Sequence, residues 1–351
     1  MDLGRYEEDN RLCVAALLDG ASGDIPKAVA ALESRLRGGA DYGAGALLRE
    51  VAAAGAGQPD LSLVHARTRA PLLTEIPPAA RPVSLVGARL VVHRAPPTSL
   101  TRPAAPTVHA VNLGPLVLPF RLHPADSDSL IVTFHAATDR AKIALPRFER
   151  LSHFAELGSS LMAFSDPTLD LRPDLALGWY LGSGGLDLTP VLAGLVAQAA
   201  AGLGARRVVL FGSSGGGFAA LAVGAMLDGP TVIAVNPQTD ISKYYPGPSG
   251  LARRAVFGDG RPARARLNLV WRYRANAGRP RIRLFVNSGD KHHLARHATP
   301  FVEALKRERP DVDVDVTGFD AGPGHHPPPS DDLRAAAVAA AAQAGGAALA
   351  R

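Results

Sequence analysis

The segment Arg207-Val208-Val209-Leu210-Phe211 runs without a spacer into Gly212-Ser213-Ser214-Gly215-Gly216-Gly217 and then into Phe218-Ala219-Ala220-Leu221. An unbroken apolar run rich in valine reads as a strand buried on both faces, and the alanine-rich continuation reads as a helix. The chain therefore has to turn sharply from strand to helix. Such a turn brings the backbone two residues before its apex against the backbone two residues after it, so both positions must be small. Centred on Ser214 they are Gly212 and Gly216; centred on Ser213 the first would be Phe211. The asymmetry predicts Ser214 at the apex with its hydroxyl thrust outward. The competing structural reading is a flexible Gly/Ser loop. A phosphate loop is disfavoured, because the Walker spacing and its lysine are absent.

The neighbours of this segment set the fold class. Short apolar runs at 116–122, 130–134, 161–164, 231–235, 282–286 and 312–316 alternate with helical stretches at 190–203, 216–227 and 300–307, and an Ala-rich helix starts near Asp331. That alternation predicts an α/β fold with a mostly parallel central sheet and helices on both faces. Ahead of it, residues 1–55 read as a helical segment. Residues 56–110 read as a Pro-rich linker or a small β accessory unit with its best strand at 83–92, and residues 111–351 as the main domain.

Composition narrows the function classes. With 351 residues, 47% of them hydrophobic, the chain can bury one large core and a smaller appendage. The net charge of +6 is spread over scattered arginines, densest at Arg253-Arg254, 261–274 and 279–283. This pattern fits a solvated basic face or a site for an anionic substrate or carrier, and gives no reason to expect nucleic acid. Cys13 is the single cysteine, which excludes an internal disulfide and any multi-cysteine zinc site. The start of the chain is acidic rather than signal-like, and no stretch reads as a membrane span. A cytoplasmic location is the expectation.

A serine at such an apex acquires chemistry only if a base and an acid reach it, in that chain order acid and then histidine. The strand at 282–286 ends in Asn287-Ser288-Gly289-Asp290, and the strand at 312–316 is followed by Gly322-Pro323-Gly324-His325-His326-Pro327. Asp290 is the expected acid, with Asp320 and Asp240 as substitutes. His325 is the expected base, with His326 in reserve. Asp290 also reads as a helix cap before Leu294. The helix that starts at Ser214 aims its N–H groups at the place where an oxyanion would form, so Gly215 is one expected donor, with Ala136 or Ala137 from Phe134-His135-Ala136-Ala137-Thr138 as the other. His135 reads as structural. His293 and His297, four apart, could share a helix face as metal ligands, but the Glu of the two-histidine zinc motif is missing, so no metal and no cofactor is expected.

Residues 115–345 resemble the α/β-hydrolase superfamily. Phe134-His135-Ala136-Ala137, Ser165-Asp166-Pro167-Thr168-Leu169, Gly178-Trp179-Tyr180-Leu181-Gly182, Gly212–Phe218 and Asn236-Pro237-Gln238-Thr239-Asp240 are similar to a bacterial subgroup distantly related to the accessory-secretion O-acetyltransferases. Many members carry His-Gly where this chain has His135-Ala136. The resemblance implies an α/β-hydrolase fold and a serine hydrolase acting on an ester or thioester through Ser214, Asp290 and His325. It also implies substrate contacts from Asp166 and Trp179, the alternatives being that Asp166 caps a turn and Trp179 packs under a lid; Asn236 and Gln238 either bind substrate polar groups or satisfy backbone in their loop, and His293 either lines the rim of the pocket or buttresses Asp290. The expected partner is a small-molecule or saccharide acyl ester. Two alternatives stand beside this: an O-acyltransferase or thioesterase in saccharide or natural-product biosynthesis, and a non-catalytic binding protein that docks a protein partner through its N-terminal helices.

Overall fold

The computed structural model describes residues 89–342 except Arg94, Ala141, Lys142 and Ala144. The predicted helical segment 1–55, the N-terminal portion of the Pro-rich stretch and the end of the tail lie outside the described residues. Eleven strands are described: β1 (Arg89–His93), β2 (Thr107–Asn112), β3 (Val117–His123), β4 (Ser129–Phe134), β5 (Ser160–Phe164), β6 (Gly182–Ser183), β7 (Leu186–Asp187), β8 (Arg207–Ser213), β9 (Asp228–Val235), β10 (Arg279–Asn287) and β11 (Asp313–Phe319). Nine of them form one sheet in the order β1-β2-β3-β5-β4-β8-β9-β10-β11, and β6 and β7 make a separate small hairpin. β3 is antiparallel to both β2 and β5. All pairs from β5 through β11 are parallel, so the carboxyl ends of β4, β8, β9, β10 and β11 share one edge. That edge is where side chains from several strands converge in a parallel sheet.

The sheet begins earlier than the sequence suggests. β1 pairs with β2, and β2 with β3, so residues 89–112 belong to the main sheet and the expected boundary at 110/111 falls inside β2. Thr107–Asn112 escaped detection because the prolines at 103 and 106 read as breakers, yet they stand just before the strand, where the missing N–H costs no ladder bond.

Residue parity divides the core. On β8, Val208 and Leu210 face the larger apolar cluster while Val209 and Phe211 face the smaller one, and β9 repeats this with Val232 and Ala234 against Ile233 and Val235. The larger face is covered by α1 (Leu188–Leu203), α2 (Ser214–Gly224) and α5 (Thr299–Glu308), and the smaller by α6 (Ser330–Ala342) through Leu333, Ala337 and Ala340. Two further helices, α3 (Pro246–Phe257) and α4 (Leu269–Ala275), lie between β9 and β10 in the chain. Each fully buried Leu or Phe contributes about 1.5–3 kcal/mol, which is why the central strands carry almost no polar residues. β11 is the exception, an exposed edge bearing Asp313 and Asp315, charges that discourage pairing with another chain. Among the described residues no helix is long and apolar enough to cross a membrane.

Candidate active site

Ser214 stands between β8 and α2 with φ 54°, the left-handed region that residues with a side chain enter at a cost of about 1–2 kcal/mol. The turn has no room for side chains on either flank. A Cβ on Gly212 would lie inside 3.0 Å of Gly216 backbone atoms, and one on Gly216 inside 3.0 Å of the Phe134 and His135 carbonyl oxygens. These contacts are the predicted crossing of the backbone around the apex, and they fix Ser214, rather than Ser213, at the bend.

Asp290 follows β10 and does two things at once. Its Oδ1 accepts from the His293 N–H at 3.1 Å, so it caps the turn Lys291–His293 as the capping reading expects. Its Oδ2 lies 2.8 Å from His325 Nδ1. Burial opposes ionisation of Asp290, but the His293 N–H and the two imidazoles outweigh it and hold the carboxyl below the usual range. His326 takes no part in this contact; its Nε2 meets the Pro323 carbonyl at the surface. Asp240 is spent on capping Ile241–Lys243 and on Asn268, and Asp320 on the turn at Gly322.

The loop that delivers His325 lacks regular structure, and two asparagines anchor it. Asn287 donates to the Gly322 and Gly324 carbonyls at 2.9 and 2.8 Å and accepts from the Ala321 N–H. Asn236 donates to the His326 carbonyl at 2.8 Å and accepts from the Asn287 N–H. The sequence assigns Asn287 no role and leaves Asn236 as either a substrate contact or a backbone partner, of which the structure shows the second. The available signal was their position, since each ends or directly follows a buried strand at the edge where the site lies.

The structure does not show the expected serine–histidine hydrogen bond. Ser214 Oγ accepts instead from Gln238 Nε2 at 2.9 Å. The same amide nitrogen is 2.7 Å from His293 Nε2, and Gln238 Oε1 accepts from Trp179 Nε1 at 3.1 Å. The indole N–H can only donate, so it fixes the amide orientation, and the amide N–H in turn requires a bare lone pair on His293 Nε2. Burial first, and the neighbouring His325 second, push His293 down to about 4, which keeps it neutral. His293 Nδ1 also lies 2.8 Å from Asp290 Oδ2 without the geometry of a hydrogen bond, whereas His325 Nδ1 makes one to the same oxygen. The two imidazoles stack with centroids 4.1 Å apart.

Asp290, His293 and His325 bring their donor atoms within 4.8 Å of one another. Ligands about 2.1 Å from a tetrahedral ion stand roughly 3.4 Å apart. The two 2.8 Å separations from Asp290 Oδ2 are shorter than that spacing, and the one to His325 is a hydrogen bond. His297 is 5.4 Å from His293 ring to ring, and its Nδ1 accepts from the Thr239 N–H.

Several expected contacts are placed differently. The Ala136 N–H donates to Glu149 Oε2 at 2.9 Å, so it is not free to hold an oxyanion; the Ala137 and Gly215 amides remain as donors. Of the two readings of Asp166, substrate contact and turn cap, the structure shows the cap: it is buried and both its oxygens are used, Oδ1 by the Thr168 N–H and Oδ2 by the Tyr180 N–H. Burial raises its pKa to about 6. Trp179, Gln238 and His293 are likewise buried, so they hold one another and Ser214 rather than forming an open surface. His135 is structural: its Nδ1 faces the Ala136 carbonyl and its Nε2 accepts from the Asp166 N–H, with burial lowering it to about 4. At the margin of the site Tyr245 stacks on His292 at 4.3 Å, and Tyr244 meets Trp179 edge-on at 5.6 Å. Of the late arginines, Arg266 is buried and donates to the carbonyls of Leu181, Ser183, Gly184 and Leu186, which braces the β6–β7 hairpin.

No protein-family model and no curated protein matches the sequence. Among solved structures, the capsule O-acetyltransferase of Neisseria meningitidis serogroup A superposes at TM-score 0.50 and 16% identity, over 66% of this chain and 90% of that one. The fold is the α/β-hydrolase fold. An S-formylglutathione hydrolase from Agrobacterium tumefaciens also matches, at TM-score 0.47 and 16% identity, covering 68% of this chain and 95% of that one. So does esterase B from Lactobacillus rhamnosis, at TM-score 0.47 and 13% identity, covering 68% and 86%. At these identities the likeness is one of fold.

Proposed function

We propose that this protein is a serine enzyme acting on an ester or thioester through an acyl-enzyme on Ser214. The observation that carries the reading is the 2.8 Å hydrogen bond between Asp290 and His325 at the sheet edge where Ser214 occupies a left-handed apex. In ligand-free sites the serine–histidine contact is commonly long and tightens when substrate binds.

His325 Nε2 takes the Ser214 proton as Oγ bonds to the acyl carbon, and the carbonyl electron pair moves onto its oxygen, which is held by the Gly215 N–H at the start of α2 and the Ala137 N–H from the loop after β4. His325, with its Nδ1–H directed at Asp290, then gives that proton to the departing alcohol or thiol. In the second half, His325 deprotonates water or an acceptor hydroxyl, which attacks the acyl carbon, and the proton returns to Ser214 Oγ as the acyl–serine bond breaks. No metal or organic cofactor enters the scheme.

A second reading, transfer of the acyl group to a saccharide hydroxyl, is favoured by the structural likeness to the capsule O-acetyltransferase. Partition decides between them. The test is steady-state hydrolysis of 4-nitrophenyl acetate with and without a panel of added sugar alcohols. Turnover lost in both Ser214→Ala and His325→Ala supports the serine mechanism, and product found on the added hydroxyl assigns transfer. Turnover kept in Ser214→Ala refutes both readings.

A further inference from the structure

In most serine sites the histidine is the polar side chain against the nucleophile oxygen, yet here a primary amide occupies that place. Gln238 is fully buried, and its orientation is determined at three points: Trp179 Nε1–H on Oε1 at 3.1 Å, Ser214 Oγ against Nε2 at 2.9 Å, and His293 Nε2 against the same nitrogen at 2.7 Å. Rotating the amide by half a turn would set its NH2 against the indole N–H, donor to donor, and its oxygen against the lone pair of His293. Both clashes are buried, so the orientation is held from either end. Gln238 also follows directly from the strand edge: its backbone N–H reaches the Ser214 carbonyl at 3.4 Å, which ties the loop after β9 to the apex.

We infer that Gln238 is a catalytic residue, its side-chain N–H stabilising negative charge on Ser214 Oγ while the serine proton is away; this rests on the proposal that Ser214 is the nucleophile. Accepting from Gln238 uses one lone pair of Oγ and leaves the O–H to turn toward His325 Nε2. As the Oγ–H bond breaks and the proton passes to His325, the Gln238 hydrogen bond changes from a neutral to a charged acceptor and strengthens about twofold. When the acyl–serine bond later breaks, the departing Oγ meets the same donor. The amide cannot itself remove a proton, so it supports His325 without competing with it. Trp179 and His293 act through Gln238 and are positioning residues. This explains why His293, already 2.8 Å from Asp290, is buried and stacked behind His325: its lone pair completes the clamp on the amide.

The experiment measures second-order labelling by a fluorophosphonate probe, and kcat and KM for 4-nitrophenyl acetate, in wild type, Ser214→Ala, Gln238→Met and Trp179→Phe, with thermal melting of each. Methionine keeps the length of the side chain and loses the N–H. The expected result for Gln238→Met is a loss of about tenfold or more in both kcat and labelling rate at a KM within twofold. Trp179→Phe, which leaves Gln238 in place but unlocks one end, should lose several-fold in kcat, again at unchanged KM, and it decides the matter should Gln238→Met not fold. Wild-type rates in a folded Gln238→Met, or in Trp179→Phe if that is the variant available, overturn the inference while leaving the nucleophile intact. Labelling that persists in Ser214→Ala overturns the nucleophile assignment itself, so the two failures are distinguishable.

Discussion

The elbow makes a graded prediction when two of its glycines, Gly212 in β8 and Gly217 in α2, are set beside Gly194 in α1. In Gly212→Ala the new methyl would lie inside 3.0 Å of the Gly216 carbonyl carbon and oxygen and of the Gly217 nitrogen, all of them backbone atoms that cannot swing aside. In Gly217→Ala it would meet Pro237 at 3.0 Å and the Gly212 oxygen at 3.2 Å, a crowding that shifts of a few tenths of an ångström relieve. In Gly194→Ala, on the exposed side of α1, it meets nothing within 4 Å. Overpacking a well-filled site costs about 1–3 kcal/mol, and more when the obstacle is backbone, so Gly212→Ala should cost at least about 3 kcal/mol. Gly194→Ala should gain about 0.8–1 kcal/mol of helix propensity. At roughly 2–4 °C per kcal/mol for a domain of this size, thermal melts should show Gly212→Ala down by about 6–12 °C and Gly194→Ala up by about 2–4 °C, with Gly217→Ala between them. Esterase activity should vanish in the first and persist in the last. A Gly212→Ala protein melting with wild type would contradict the crossing of backbones at the apex, and with it the argument that selects Ser214.

Three further outcomes follow from the site and its supports. His325→Ala should lower kcat by about a thousandfold or more, while His326→Ala, whose ring contacts only the Pro323 carbonyl, should stay within a few-fold; equal losses would reject the assignment of the base. Asp166→Asn sets an NH2 against either the Thr168 or the Tyr180 N–H, and should cost about 1–3 kcal/mol, read as a drop in melting temperature without a change in KM. Burial holds His109 and His297 at about 3 and His123, His135 and His293 at about 4, all below the ordinary 6.5. Between pH 6.5 and about 4 the unfolded chain therefore binds more protons at these sites, and stability is complete above 6.5 and lost as pH falls, by up to about 1.4 kcal/mol per pH unit for each proton. Asp166, raised to about 6, works in the opposite direction but is one group against five. Melting temperature should fall steadily from pH 7 to pH 4.5, and a flat profile would contradict the burial of these rings.

What could be read from the sequence was what depends on local pattern. Arg207 to Phe211 declared a buried strand, the Gly212/Gly216 pair declared the apex, and the strands read at 282–286 and 312–316 placed Asp290 and His325 in the loops that follow them. Contacts that depend on side-chain reach across the sheet were not legible. Nothing local to Gln238 says that its amide meets Ser214, twenty-four positions away, because that contact depends on β8 and β9 being neighbours. The Ala136 N–H looked free since its partner, Glu149, comes from a segment with no periodic signal. Between a substrate contact and a turn cap for Asp166 the sequence could not choose, because its burial follows only from the contacts it makes with Thr168 and Tyr180. β2 was hidden by its flanking prolines.

The most direct test is to react the full-length protein with an excess of a fluorophosphonate, digest it, and find the modified residue by peptide mass spectrometry. Stoichiometric adduct on Ser214, with none on Ser213 and none in protein carrying His325→Ala over the same interval, is the expected result. Adduct on another residue, or an unmodified Ser214 in folded wild-type protein, would contradict the account.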